Sequence, residues 1–164
     1  MTTVSIRPAR PGEGERVFSF VMQLATYEHL EQEVRATAAS FETALFGPAP
    51  RVFCDFVEED GVPVGLALWF ATFSTFEGRH GIWLEDLFVE PAHRGKGYGK
   101  ALLVHLARRC VAEGLGRFEW SVLDWNAPSI AFYRALGARP MDEWTTMRVD
   151  GAALTRLAAA GEGA

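Results

Sequence analysis

The chain has few of the features that mark secreted or membrane-bound proteins. Only two of its 164 residues are cysteines, Cys54 and Cys110, and they lie far apart in a sequence that shows no secretory leader. Two reduced thiols in a cytoplasmic protein are therefore expected. No apolar run approaches the roughly 18 residues that a membrane-spanning helix needs, so we expect no membrane partner.

Positive charge and metal-binding patterns are also scarce. The chain has 16 Lys and Arg against 21 Asp and Glu, a formal net charge of −5. Nucleic acids and anionic membranes are bound by basic surfaces, so neither is an expected partner, and a cationic small molecule fits better. The four histidines, at positions 29, 80, 93 and 105, share no metal-ligand spacing, and we expect no metal.

What is present is the composition of one compact globular domain, predicted to span residues 1–164. Apolar residues alternate in some segments and recur at helical spacing in others, for example at Val17, Phe20 and Leu24. Strands mixed with helices in this order predict an α/β (α+β) sheet covered on both faces. The predicted strands lie at 3–7, in the hairpin 51–73 with its turn EEDG, and at 82–89, 117–123 and 144–149; the predicted helices lie at 13–25, from the cap Thr37 to Phe46, from about 101 to EGLG, after the cap Asn126 to Gly137, and at 150–161.

A glycine-rich loop, RGKGYG at 94–99, stands between a predicted strand and a predicted helix. The N-terminus of a helix carries unpaired N–H groups and favours an anion, and glycines let the backbone approach a phosphate closely. Arg94, Lys96 and Lys100 add positive charge to an otherwise acidic chain. A tight turn without a ligand is the alternative; the position of the loop favours a phosphate-bearing ligand.

The glycine spacing argues against two common phosphate sites. A P-loop needs Gly-x-x-x-x-Gly-Lys-Ser/Thr, but Gly95 and Gly99 are one residue too close and Ala101 replaces the hydroxyl. The dinucleotide fingerprint Gly-x-Gly-x-x-Gly opens a βαβ unit, whereas this loop repeats glycine every second residue and lies past mid-chain. Neither nucleotide hydrolysis nor hydride transfer is favoured.

The run RGKGYGKALL resembles the pyrophosphate-binding motif Arg/Gln-x-x-Gly-x-Gly/Ala of the GNAT superfamily of N-acetyltransferases, which Arg94, Gly97 and Gly99 match in order. SIRPA, LATYEHLEQ, GLALWF, WLEDLFVEPAHRGKGYG and VLDWNAPSIAFYRALGA extend the likeness over nearly the whole chain. Together these segments resemble the spermidine/spermine and thialysine N-acetyltransferase subfamily.

The resemblance implies the GNAT fold, a mixed and strongly twisted sheet with splayed parallel strands flanked by helices, and acetyl-CoA as co-substrate. It also implies a homodimer in which the partner subunit helps to complete the acceptor site. The residues that it implies for acetyl-CoA are Leu87, Phe88, Val89, Arg94, Gly95, Lys96, Gly97, Tyr98, Gly99, Lys100, Asn126, Ser129 and Tyr133. Those that it implies for the acceptor amine are Tyr27, Glu28, Glu85, Glu119, Trp120 and Ser121.

Two of these residues are the predicted catalytic groups. A lysine-like amine with a pKa near 10.4 must lose a proton before it can attack, at a cost of about 4 to 5 kcal/mol at neutral pH. Glu85 binds the ammonium group and accepts a proton through a water, or directly if its site raises its pKa; a structural ion pair is the alternative. Because successive strand residues face opposite ways, Asp86 is expected to be structural.

Tyr133 follows Ser129 by one helical turn. The resemblance makes Tyr133 the general acid that protonates the departing thiolate, whereas periodicity alone indicates a half-buried core tyrosine. Trp120 or Trp125 offers a cation–π surface to an ammonium group, against a default role in packing.

The acceptor is predicted to be a small primary amine. Polyamine-acetylating members carry an acidic residue and a tryptophan where this chain has Ser74 and Phe76, so thialysine or a lysine analogue is favoured over diamines and polyamines. Arg79 and Arg134 are the candidates for binding the carboxylate of such a substrate. The alternatives are an acetyltransferase for protein lysines, N-termini or an amine drug, and a non-catalytic acetyl-CoA-binding module.

Overall fold

The computed structural model describes residues 1–160, which form two compact units, one from Met1 to Ser121 and one that begins at Val122. The first unit is built on a five-stranded sheet in the order β1-β2-β3-β4-β5, antiparallel except that β5 runs parallel to β4. This mixed sheet flanked by helices confirms the predicted fold class. Its strands are β1 (Val4–Pro8), β2 (Phe53–Glu59), β3 (Val62–Ser74), β4 (Arg79–Val89) and β5 (Phe118–Trp120), and its helices are α1 (Gly14–Glu28), α2 (Ala38–Phe46) and α3 (Tyr98–Ala112).

The helix cap and the hairpin turn that were predicted from the sequence are both present in the structure. The Thr37 side chain accepts a hydrogen bond from the Ser40 N–H at 3.2 Å, so it caps α2 as predicted. Asp60 and Gly61 both have positive φ, 51° and 80°, the conformation of a two-residue hairpin turn that follows the right-handed twist of its strands. The Asp60 carboxylate accepts a hydrogen bond from the Thr3 N–H at 2.8 Å, which ties this turn to the start of β1.

The sheet has an apolar core on each face. Helix α3 covers one face, where Leu102 and Leu106 are fully buried against the strands. Helices α1 and α2 cover the other, as the wide apolar stripe of α1 requires. The buried side chains of this second core are Val17, Phe20, Leu45, Cys54, Phe56, Leu66, Leu68 and Phe88.

Strand β4 is irregular at Glu85. Asp86 pairs with Leu68 and Leu84 pairs with Trp69, so Glu85 is an extra residue in the β3–β4 ladder. Such a β-bulge redirects the side chains around it. The parallel pairing of β4 with β5 ends at the same place, with Leu84 opposite Trp120 as its last pair. Beyond the bulge, residues 85–89 therefore have no strand partner on the β5 side within the first unit.

The second unit contains α4 (Ala127–Ala135) and α5 (Gly151–Ala159). Helix α4 confirms its predicted signals, since the Asn126 side chain accepts from the Ser129 N–H at 3.3 Å and Gly137 has a φ of 93° just past the helix end. The prediction of a single domain stays a prediction; its last residues, 161–164, and the predicted end of the last helix at Gly161 lie outside the described residues.

Two strand predictions near the C-terminus need correction. The strand predicted at 117–123 shrinks to Phe118–Trp120, and the one predicted at 144–149 is wrong, because these residues form neither helix nor strand. A strand needs a neighbour for its N–H and C=O groups, and this segment pairs with none within residues 1–160. Trp144 and Met147 are 69% and 86% exposed, so alternation of side chains alone did not predict burial here.

Within residues 1–160, none of the helices combines the length and apolar character that crossing a bilayer demands.

Candidate active site

Three carboxylates meet where α1 ends and β4 bulges. Glu28 is the last residue of α1, and Glu85 and Asp86 come from the bulge. Burial, together with the negative charges of Glu85 and Glu28, raises the pKa of Asp86 to about 6. Burial also raises the pKa of Glu28. The first unit thus holds a carboxyl group that exchanges its proton near neutral pH.

The expectation that Glu85 and Asp86 face opposite ways is wrong, because the bulge breaks the alternation of the strand between them. Asp86 is paired with Leu68, and Trp83 is paired with Phe70. Leu68 and Phe70 are two apart on β3 and share a face, so Trp83 and Asp86 share it too. The carboxylates of Glu28, Glu85 and Asp86 therefore form one cluster.

Trp83 is a site residue that the sequence analysis missed. Its indole N–H donates a hydrogen bond to Glu85 Oε2 at 2.8 Å, and its ring lies 6.5 Å from that of Phe70. Glu119 is the parallel partner of Trp83 on β5 and shares its face, whereas Trp120 is paired with Leu84 and faces the other way. The i, i+2 spacing of Trp83 and Glu85 was the available signal, since such residues lie near each other on a strand. Ser121, the remaining predicted acceptor residue of this segment, is exposed.

The glycine loop presents free backbone N–H groups. Gly95 and Gly97 have φ of 77° and 84°, the left-handed region in which a side chain is strained. Gly97 immediately precedes α3, and its carbonyl accepts the first helical hydrogen bond, from Ala101 N–H at 2.9 Å. The N–H groups of the first turn have no acceptor inside a helix, and they favour an anion there.

Gly99 leaves open space at the start of α3. It lies in the first turn of α3 with an ordinary φ, and an added Cβ would meet no atom within 4 Å. The fold itself therefore does not require glycine at this position, and glycine in a helix costs about 0.5 to 1 kcal/mol relative to alanine. A ligand that approaches the first-turn N–H groups closely does require it.

Arg94 joins the predicted cofactor and acceptor residues. Its Nε–H donates to the Val89 carbonyl at 3.0 Å, and its guanidinium lies 5.0 Å from the centre of the Tyr27 ring and 5.7 Å from that of Phe88. Phe88 is buried in the core, so only its backbone is available to a ligand. Leu87 and Val89 belong to the stretch of β4 beyond the last β5 pair, where the resemblance places the cofactor.

The side chains of Lys96 and Tyr98 both contact Glu59. The Lys96 ammonium lies 2.9 and 2.8 Å from the two carboxylate oxygens of Glu59, and the Tyr98 hydroxyl donates to the same carboxylate. The Lys100 side chain is exposed. Backbone groups, Arg94 and Lys100 are therefore what the loop offers to a phosphate.

The predicted site residues of the second unit lie on α4 and its cap. Asn126 is buried, and its side-chain oxygen is used by the Ser129 N–H. Tyr133 lies one turn after Ser129 and is half-buried, with its ring 5.4 Å from that of Phe132. The roles assigned to these residues stay predictions.

The hairpin tip between β3 and β4 is remote from the carboxylates of its own chain. Arg79 lies six residues from Glu85 along β4, about 20 Å at 3.3 Å per residue, and Ser74 is its cross-strand neighbour. Arg79 therefore does not reach a substrate held at Glu85 of the same chain. Ser74 is buried in the turn, while Phe76 is 87% exposed.

Within residues 1–160, no three His, Cys, Asp or Glu side chains are arranged to hold a metal ion; the absence of a metal stays a prediction.

Comparison with known proteins identifies relatives over nearly the whole chain. Residues 15–138 match the model of the Acetyltransferase (GNAT) family. The chain is 32% identical over 169 residues to the thialysine N-epsilon-acetyltransferase of Sus scrofa, covering 96% of this chain and 99% of that protein. It is 41% identical over 98 residues to the L-ornithine N5-acetyltransferase of Arabidopsis thaliana, covering 60% of this chain and 43% of that protein. An integron cassette protein from the V. cholerae mobile metagenome shares the fold, with a TM-score of 0.79 at 24% identity over 94% of this chain and 97% of that one.

Replacement of Asp86 by Asn is expected to change how stability depends on pH. The pKa of Asp86 is about 6 in the folded protein against an ordinary 3.8, so between these values the folded state binds more protons than the unfolded state. Wild-type stability therefore falls as the pH rises through this window, by about 3 kcal/mol at 1.36 kcal/mol per pKa unit. Asp86→Asn lacks this fall, which urea unfolding at about pH 4 and pH 7.5 measures. Glu85→Gln, the control, keeps a smaller fall; equal pH slopes for wild type and Asp86→Asn would contradict the assignment.

Proposed function

The chain belongs to the acetyltransferase (GNAT) family and is an N-acetyltransferase, and from this premise we propose that it acetylates the side-chain amine of a free basic amino acid or a close analogue. The donor is acetyl-CoA, the co-substrate that the family implies. The observation that carries the proposal is the cluster of Glu28, Glu85 and Asp86, which combines binding sites for an ammonium group with a carboxylate of raised pKa.

Within the cluster, different carboxylates bind the ammonium group and accept its proton. Glu85 is exposed and is oriented by the Trp83 N–H, so it binds the ammonium group of the acceptor together with Glu28. Asp86 is the better proton acceptor, because its pKa of about 6 lies closer to that of the amine than an ordinary carboxylate does. This extends the predicted role of Glu85 as base by placing the proton on its neighbour.

The first unit also supports acetyl-CoA binding. The N–H groups after Gly97 and the open Cβ space at Gly99 fit a pyrophosphate, with Arg94 and Lys100 beside them. When bound, acetyl-CoA supplies a thioester carbonyl that the neutral amine attacks, with loss of the CoA thiolate. Tyr133 donates a proton from its hydroxyl to that thiolate, and Asn126 and Ser129 support the cofactor from α4, as the family resemblance implies.

The amino-acid acceptor is supported by two relatives. One is named for thialysine and the other for L-ornithine, both amino acids with a primary amine on the side chain. The hairpin tip that carries Ser74 and Phe76 lies far from Glu85 in the same chain, which supports a homodimer whose second subunit brings this tip to the acceptor site. The free, buried thiols of Cys54 and Cys110 fit a reducing compartment, and we assign the protein to the cytoplasm. Neither a nucleic acid nor a membrane is proposed as a partner.

CoA release from acetyl-CoA, measured across a panel of amines, tests the proposed function. We expect the highest kcat/KM with thialysine, ornithine or lysine, and lower values with diamines, polyamines, aminoglycosides and lysine peptides. Preference for a peptide or an aminoglycoside would replace the substrate class. Tight acetyl-CoA binding without turnover of any amine would identify a non-catalytic module instead.

Gly99→Ala is expected to separate stability from cofactor binding. The added methyl group meets no protein atom, so the free energy of unfolding should stay unchanged or rise by up to about 1 kcal/mol. The methyl group would obstruct the pyrophosphate, and the dissociation constant of acetyl-CoA should rise about tenfold or more. Calorimetric titration and urea unfolding check both halves. Gly114→Ala, outside the loop, is a control for binding only, because the φ of 67° at Gly114 makes alanine strained there. Unchanged acetyl-CoA binding by Gly99→Ala would remove the loop from the cofactor site.

Tyr133→Phe removes only a hydroxyl group. If that hydroxyl protonates the leaving thiolate, kcat should fall about ten- to ten-thousandfold, the range of general acid–base catalysis, with little loss of acetyl-CoA binding. Steady-state kinetics with the best amine of the panel and calorimetric titration of acetyl-CoA make the measurement. Phe132→Leu, a change to the neighbouring ring of α4, serves as control. A kcat for Tyr133→Phe close to that of wild type would take Tyr133 out of the mechanism.

A further inference from the structure

Glu59, the last residue of β2, is a hub for the side chains of the glycine loop. Its carboxylate lies 2.9 and 2.8 Å from Lys96 Nζ and 3.2 Å from His93 Nδ1, and it also accepts a hydrogen bond from the Tyr98 hydroxyl. These hydrogen bonds, the one from Lys96 first, lower the pKa of Glu59 to about 2. Glu59 in turn raises the pKa of Tyr98 to about 12. At neutral pH the carboxylate is therefore ionised and the phenol is protonated, as the contacts require.

The carboxylate is held on a rigid part of the fold. Glu59 pairs with Val4 of β1 and with Val62 of β3. The adjoining turn is fixed by the hydrogen bond between Asp60 and the Thr3 N–H. A side chain anchored in this way can hold a loop in place, because its own backbone has little freedom.

The two principal partners of Glu59 flank one residue, Gly97. Gly97 occupies the left-handed region with a φ of 84°, and the direction of the first turn of α3 depends on it. An added Cβ at Gly97 would meet no atom within 4 Å, so no side chain packs closely at this position. The neighbours on either side of it, Lys96 and Tyr98, both contact Glu59.

We propose that Glu59 is a positioning residue for acetyl-CoA binding, which fixes the loop so that the N–H groups at the start of α3 are aimed at the pyrophosphate. The inference rests on the proposed function for its ligand. In this proposal Lys96 holds the loop in place through its contact with Glu59 and does not neutralise the phosphate charge directly.

The direction in which acetyl-CoA affinity changes when Glu59 is replaced distinguishes a positioning role from a purely electrostatic one. A carboxylate beside an anion site repels a pyrophosphate, so its removal should tighten binding if charge alone matters. If Glu59 positions the loop, the loss of its charge weakens its contacts with Lys96 and Tyr98. The loop must then be ordered when the ligand binds, and affinity falls despite the more favourable charge.

Calorimetric titration of acetyl-CoA into Glu59→Gln, together with steady-state kinetics, makes the test. We expect the dissociation constant and the KM of acetyl-CoA to rise roughly tenfold, while kcat and the KM of the amine change less than about twofold. Glu113→Gln, which removes an exposed carboxylate near the far end of α3, is the charge-matched control and should bind as wild type does.

A second variant guards against a folding defect in Glu59→Gln. Tyr98→Phe leaves the charge unchanged and removes one donor to Glu59, so it should weaken acetyl-CoA binding in the same direction. In the double variant the two losses should be less than additive, because both act through one contact. Unchanged or tighter binding by both single variants, with wild-type binding intact, would overturn the positioning role alone. Failure of the wild-type protein to bind acetyl-CoA would overturn the proposed function and this inference with it.

Discussion

The extra residue in the β3–β4 ladder is the constraint on which the site depends. On one side of Glu85, β4 is a central strand hydrogen-bonded to both neighbours; on the other it is bonded only to β3. The bulge thus divides a single strand into a part that is paired on both sides and a part whose β5-side edge has no strand partner within the first unit. It also brings Trp83 and Asp86 to one face and allows Glu85 to reach the Trp83 indole. A regular strand would have placed the carboxylates apart.

The site separates negative and positive charge along a short stretch of chain. A cation is suited by the carboxylates of Glu28, Glu85 and Asp86, and an anion by the first turn of α3. Most of the groups for both charges lie within residues 85–100. Arg94 lies at the junction, with its guanidinium on the Tyr27 ring at the end of α1 and its Nε–H on the Val89 carbonyl. The net negative charge of the chain is therefore compatible with an anion site at this loop, because backbone N–H groups can attract an anion without basic side chains.

The sequence was most informative where a local rule decides the structure. The capping Thr37, the hairpin turn at Asp60 and Gly61, and the glycine loop each follow from the chemistry of one or two residues, and each is found where it was predicted. The bulge was not predictable in this way, because it depends on the register of β4 against β3. For the same reason the alternation rule misplaced Asp86, and no local pattern linked Glu59 to a loop that lies 37 residues further along the chain. The strand prediction for residues 144–149 was wrong for a different reason. The sequence of this segment alternates as in a strand, but the segment has no partner strand within residues 1–160.

The salt bridge between Lys96 and Glu59 has a chemical consequence for an enzyme that handles an activated acetyl group. Of the sixteen Lys and Arg residues only two, Lys96 and Lys100, are lysines, and arginine is a far poorer nucleophile because its guanidinium stays protonated. The ammonium of Lys96 is held by the two carboxylate oxygens of Glu59. The side chains of the protein thus offer few amines to an activated acetyl group, and the ammonium of one of them is engaged by Glu59.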